Sequence, residues 1–75
     1  METVSLDRAQ RRRKPFFAVC EVGGQFTAQY HVPGITTLRF GDFPTTHEAE
    51  AACTRQREFN RDIDAPILLV VDVKG

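Results

Sequence analysis

Apolar and polar positions alternate through residues 16–40 and then change period. Phe16–Val22 reads Phe-Phe-Ala-Val-Cys-Glu-Val, Gly23-Gly24 interrupts it, and Gln25–Val32 resumes the alternation. Two glycines between two such runs signal a hairpin, because the favoured two-residue turns need positive φ. A loop of that length sets the register: Val22 opposite Gln25, Cys20 opposite Thr27, Ala18 opposite Gln29, Phe16 opposite His31. Directly opposite residues share a face. One face then carries Phe17, Val19, Phe26, Ala28, Tyr30 and Val32, and is the expected core. The other carries Gln25, Thr27, Gln29 and His31 beside the small Ala18 and Cys20, and is expected to be polar and fairly flat.

Pro33-Gly34 is a second turn signal. Residues 35–40 follow as a third strand, with Leu38 and Phe40 on the core face and Thr37 and Arg39 on the polar one. The period then becomes helical. Thr45-x-x-Glu48 has the spacing of a capping box, in which the Thr hydroxyl accepts an amide N–H three residues on. A helix is expected over residues 46–61. Its stripe is Ala49, Ala52, Cys53 and Phe59 or Ile63, with Gln56 at the edge. Glu48, Glu50, Arg55, Arg57, Glu58 and Arg61 are expected to face water. Pro66 disfavours helix at the residue before it. Residues 66–73 read as a fourth strand, apolar on both faces. The predicted class is α+β, ordered β-β-β-α-β: a three-stranded antiparallel sheet with one helix packed on one face, then a C-terminal strand. A long apolar edge strand invites pairing with another chain, so a homodimer through that strand is expected. The competing arrangement inserts the strand beside the first one, inside the sheet.

Composition narrows the class. Seventy-five residues, 41% apolar and 27% charged, suit one small folded domain rather than a disordered chain. No apolar run approaches the roughly 20 residues that span a bilayer. The N-terminus carries no apolar stretch of the signal-peptide kind. Cys20 and Cys53 lack CxxC spacing, and His31 and His47 do not complete a zinc pattern, so reduced cysteines in a cytoplasmic protein are expected. Net charge is zero but uneven. Residues 1–14 hold five bases against two acids, a net of +3, and residues 15–75 hold five against eight, a net of −3. Residues 1–15 therefore read as a flexible basic arm, with Arg11, Arg12, Arg13 and Lys14 at its end, on a domain spanning 16–75. Asp42 reads as a turn residue. The sequence offers no nucleophile–base pair, phosphate loop or metal cluster, so neither catalysis nor a cofactor is expected.

The segment from 22 to 52 carries a further pattern: strands separated by turns, then Phe40-Gly41-Asp42-Phe43, Thr45 or Thr46, Glu48-Ala49 and Ala51-Ala52. This resembles the three-stranded N-terminal DNA-binding domain of phage and transposon integrases and the related plant ethylene-response-type domain. The resemblance implies that the sheet face away from the helix enters the DNA major groove. By position that face is Gln25, Thr27, Gln29, His31, Thr37 and Arg39. Gln suits adenine, Arg suits guanine, and Thr offers a methyl and a hydroxyl. Two function classes follow. One is a small DNA-binding accessory protein of the sort mobile elements encode, with the arm on phosphates and the sheet on bases. The other is a small module or inhibitor that meets a protein partner through its sheet. The basic arm favours the first. The scarcity of cations on the sheet face, where Arg39 stands alone, favours the second.

Overall fold

The computed structural model describes residues 1–60 and 64–71. Its elements are β1 (Glu2–Ser5), α1 (Leu6–Gln10), β2 (Phe16–Val22), β3 (Gln25–Val32), β4 (Thr36–Phe43), α2 (Thr46–Phe59) and β5 (Ile67–Val71). The α+β class holds, but the sheet is mixed and five-stranded, in the order β1-β5-β2-β3-β4. The β2–β3 pairing has the register that the Gly-Gly turn dictates, from Val22 opposite Gln25 to Phe16 opposite His31. Both turn glycines have positive φ, Gly23 at 59° and Gly24 at 82°.

β5 runs parallel to β2 on one side and parallel to β1 on the other. It is an inner strand, so the expected dimer through its free edge has no free edge to use. The reason is its composition. Leu68 and Val70 point to one face and Ile67 and Leu69 to the other, and a strand apolar on both faces is stable only when both are covered. Asp72 and Val73, which the sequence pattern assigns to this strand, lie outside the described residues, as do Arg61 and Ile63 of the expected helix.

Within the 1–15 segment that the sequence pattern reads as a flexible arm, residues 2–10 form β1 and α1. Val4 sits opposite Val70 in the β1–β5 ladder, and Ser5 caps α1 by accepting from the Arg8 amide at 3.2 Å. The connection β1-α1-β2 runs along the sheet in one direction and β4-α2-β5 in the other. Crossovers between parallel strands are right-handed, so opposite directions place the two helices on opposite faces.

Two cores result. Ala49, Ala52 and Cys53 of α2 pack on Phe17, Val19 and Ala28, as their helical spacing requires. The small side chains let α2 lie close to the sheet. Phe59 does not join them and is 85% exposed. On the opposite face Val4, Ala9, Phe16, Ala18, Leu68 and Val70 form a second cluster. Arg57 closes the return from α2 by donating to the Ala65 carbonyl at 3.2 Å.

Thr45 caps α2, its hydroxyl accepting from the Glu48 amide at 3.2 Å. Thr45→Ala is expected to cost about 1 kcal/mol in urea denaturation, and an unshifted midpoint would place the cap elsewhere. Removing residues 1–10 strips β1 and α1 from Leu68 and Val70. Each buried aliphatic side chain is worth roughly 1.5–3 kcal/mol, so a loss above about 3 kcal/mol is expected in the same assay. A truncated chain of unchanged stability would restore the arm as a free appendage.

Candidate nucleic-acid interface

The sheet face away from α2 has two halves. α1 stands over β1 and β5, Phe16 and Ala18 of β2 join the cluster at its side, and the β3–β4 half stays open. The face that the integrase resemblance assigns to DNA is thus shared between a helix and a polar strip. Along the strip Gln25 is exposed at the Gly-Gly hairpin. It lies about 20 Å along the strand from the end where Phe16 meets His31.

A β-bulge reshapes the middle of the strip. Ala28 pairs with Gly41 and Gln29 with Arg39, which leaves Phe40 as the extra residue. Gly41 has φ 142°, a region that favours glycine. In a regular strand residues 39 and 42 would point to opposite faces. The bulge puts both on the polar face. There the Arg39 guanidinium donates to Asp42 Oδ2, and Thr27 Oγ1 donates to Asp42 Oδ1 at 2.7 Å. The hydrogen bond from Arg39, and then that from Thr27, hold the Asp42 carboxyl below its ordinary value. The same contact raises Arg39. Two expected base-reading groups are therefore engaged within the chain. Thr27 is 2% exposed, and the charge of Arg39 is balanced by Asp42. Strict alternation cannot bring Asp42 to Arg39, because the three-residue spacing reaches one face only when the bulge is present.

The other end of the strip collects more of the expected residues. His31 Nδ1 and Thr37 Oγ1 are 2.6 Å apart. The His31 ring lies 5.2 Å from that of Phe16, tilted by 57°. The Arg12 guanidinium stands over the Phe16 ring, 5.4 Å from its centroid, and buried Arg12 Nε has no hydrogen-bond partner. Arg12, Phe16 and His31 form a stack that ties the basic segment to the polar strip. Arg11 pairs with Asp7 at 3.0 Å, both well exposed, so this pair contributes little to stability. Arg13 and Lys14 are exposed and form no ion pair among the described residues.

Between α1 and the strip lies an open groove of about 220 Å³. Leu6 and Ala9 line it on one side, Phe16 and Val70 beneath, and His31 and Thr37 on the other. Gln10, Gln29 and Cys20 reach it as well. Sequence reasoning misses α1 and the part played by Phe16. The signals that could have found them are Phe16 falling opposite His31 in the hairpin register and Ser5 standing ahead of Asp7 as a cap.

Among the described residues no group of three His, Cys, Asp or Glu side chains could hold a metal ion, and no helix is long and apolar enough to cross a membrane. The chain matches no family model, no curated protein and no solved structure.

Burial raises the Cys20 thiol and pushes Cys53 up to about 11. Both are expected to react with a disulfide reagent at pH 8 more slowly than a free thiol, Cys53 the slower. The native state holds the Cys53 proton more tightly than the unfolded chain does. Its contribution is therefore fully present below the ordinary thiol value and is lost as pH rises through that value toward about 11. Rapid labelling of Cys53 at pH 8 would contradict its place on the buried face of α2, against the sheet.

Proposed function

We propose that the chain is a non-enzymatic nucleic-acid-binding module, a small accessory protein that contacts DNA. The observation that carries this reading is the stack of Arg12, Phe16 and His31. It brings the basic segment 11–14 against the polar groups of His31, Thr37 and Gln29 on one continuous surface. Arg13 and Lys14 hold phosphates, and Arg11 and Arg12 add positive field at the same end. Phosphate contacts of this kind supply most of the affinity and position the protein, while base contacts specify sequence. Gln25 and Arg39 lie along the same face and extend the contact in the direction of β3 and β4.

A second reading has its own observation. β4 is the outer strand on one side of the sheet. Leu38 on that strand is 52% exposed, Ile35 just before it is 80% exposed, and Phe59 of α2 is also largely exposed. An edge of this kind suits a protein partner that adds a strand. β5 is closed on both sides, so a second copy of the chain would have to meet an outer strand, β4 or β1.

A mobility shift with mixed-sequence duplex DNA at low salt tests the first reading. The expected result is a retarded band that fades as salt rises. Arg13→Ala with Lys14→Ala should weaken binding evenly across sequences and lower the salt slope by about 0.9 for each phosphate no longer neutralised. No retardation at low salt would remove the nucleic-acid reading and leave the β4 edge. An unchanged salt slope in the variant would remove the role of these two residues.

A further inference from the structure

We infer that the groove between α1 and the sheet seats a single unpaired nucleobase, with the adjoining phosphate held by Arg13 and Lys14. This rests on the nucleic-acid reading above and deepens it, because it states which form of nucleic acid the surface takes.

Size points to one ring system. Drug-sized ligands occupy pockets of about 300–1,000 Å³, and this groove is about 220 Å³. Shape and chemistry agree. A nucleobase has apolar faces and polar edges. Leu6, 39% exposed, offers the main apolar contact beside a floor of the buried Ala9, Phe16 and Val70, while Gln10 and Gln29 bring amides that can donate and accept at a base edge. The bond between His31 and Thr37 fixes the imidazole in orientation at the rim. The imidazole already packs on Phe16, and Arg12 covers the Phe16 ring from another side. Bases stack well on aromatic and guanidinium planes, with little preference among sequences.

Charge complementarity names the occupant. An apolar slot alone would accept many things. This one adjoins residues 11–14, where Arg13 and Lys14 are exposed and form no ion pair among the described residues, while the rest of the chain is net acidic. The ligand it complements has a flat apolar part joined to an anion. A base within a duplex has both faces stacked on its neighbours and its Watson–Crick edge paired, so only an unpaired base brings a free face and that edge to the groove. Helix α1 interrupts the flat surface that a β-ribbon would lay into a major groove.

The source of the base is either a nucleic-acid strand or a free nucleotide, and the experiment separates them. The full chain is titrated with a short labelled single-stranded oligodeoxynucleotide, with its duplex, and with adenosine monophosphate. Fluorescence anisotropy reads affinity, and the ring-proton resonances of Phe16 and His31 read occupancy. The single strand is expected to bind about tenfold or more tightly than the duplex at equal salt, as one stacked base allows. The Phe16 and His31 resonances should move with it. Saturable shifts with adenosine monophosphate would extend the site to free nucleotides, and their absence would assign it to strands. Thr37→Trp fills the groove from an exposed position and should remove the preference for the single strand. Gln10→Trp fills it from the α1 side and serves where the first variant fails to fold. Equal binding of single strand and duplex, both still sensitive to Arg13→Ala and Lys14→Ala, would overturn the base site and leave the module a duplex binder. Binding of neither would overturn both. Tighter single-strand binding without any shift at Phe16 and His31 would move the base elsewhere and overturn this groove.

Discussion

Strand β5 governs the architecture, because it is apolar on both faces and has neighbours on both edges. Leu68, 1% exposed, and Val70 face one way, Ile67 and Leu69 the other. No single helix can cover both sides of a sheet. The chain therefore needs a second cover, and the N-terminus provides it as β1 and α1. A parallel strand enters a sheet only through a crossover, and both crossovers here converge on the same place. A chain of 75 residues buries a modest core in any case, so two thin cores sharing one sheet are a reasonable division of its apolar side chains.

Where local chemistry was strong, the sequence was legible. Gly-Gly set the β2–β3 register residue by residue, and Thr45 marked the start of α2. These signals act within a few residues and depend on nothing distant. The N-terminal elements were not legible for the opposite reason. Glu2–Ser5 is four residues long and α1 is five, too short for any period to repeat. Isolated helices of that length do not hold in water. Their stability comes from Leu68 and Val70, at the far end of the chain. The arginines of this region read as a solvated tail because sequence alone cannot show Arg12 lying over Phe16.

The polar strip was legible only in part, and the β-bulge explains the difference. Gln29, His31 and Thr37 follow strict alternation and fall where alternation puts them. Beyond Ala28 the extra residue Phe40 shifts the phase, so that Asp42 arrives beside Arg39 and Thr27. Without the bulge Arg39 would stand as an uncompensated cation on a bare face. With it, that end of the strip is nearly neutral. Arg13 and Lys14, exposed and without an ion pair among the described residues, lie in the connection from α1 to β2, while Arg55 and Arg57 belong to α2 on the other side of the sheet. Electrostatics therefore selects one end of the face over the other.

The two covers differ in length, and the candidate site follows from that inequality. α2 has 14 residues and spans about 21 Å, whereas α1 has five and spans about 7.5 Å. The longer helix covers its side of the sheet almost to the β4 edge. The shorter one covers β1 and β5 and stops, which leaves a step down across β2 onto β3 and β4. A step between an apolar wall and a polar floor is a groove with mixed chemistry. Residues 11–15 link α1 to β2, between Gln10 and Phe16, both of which line the groove. The basic segment is thus positioned by the same short helix whose brevity opens the groove. Lengthening α1 would strengthen the second core and close the site. The small size of that core and the accessibility of the groove are therefore two consequences of one constraint.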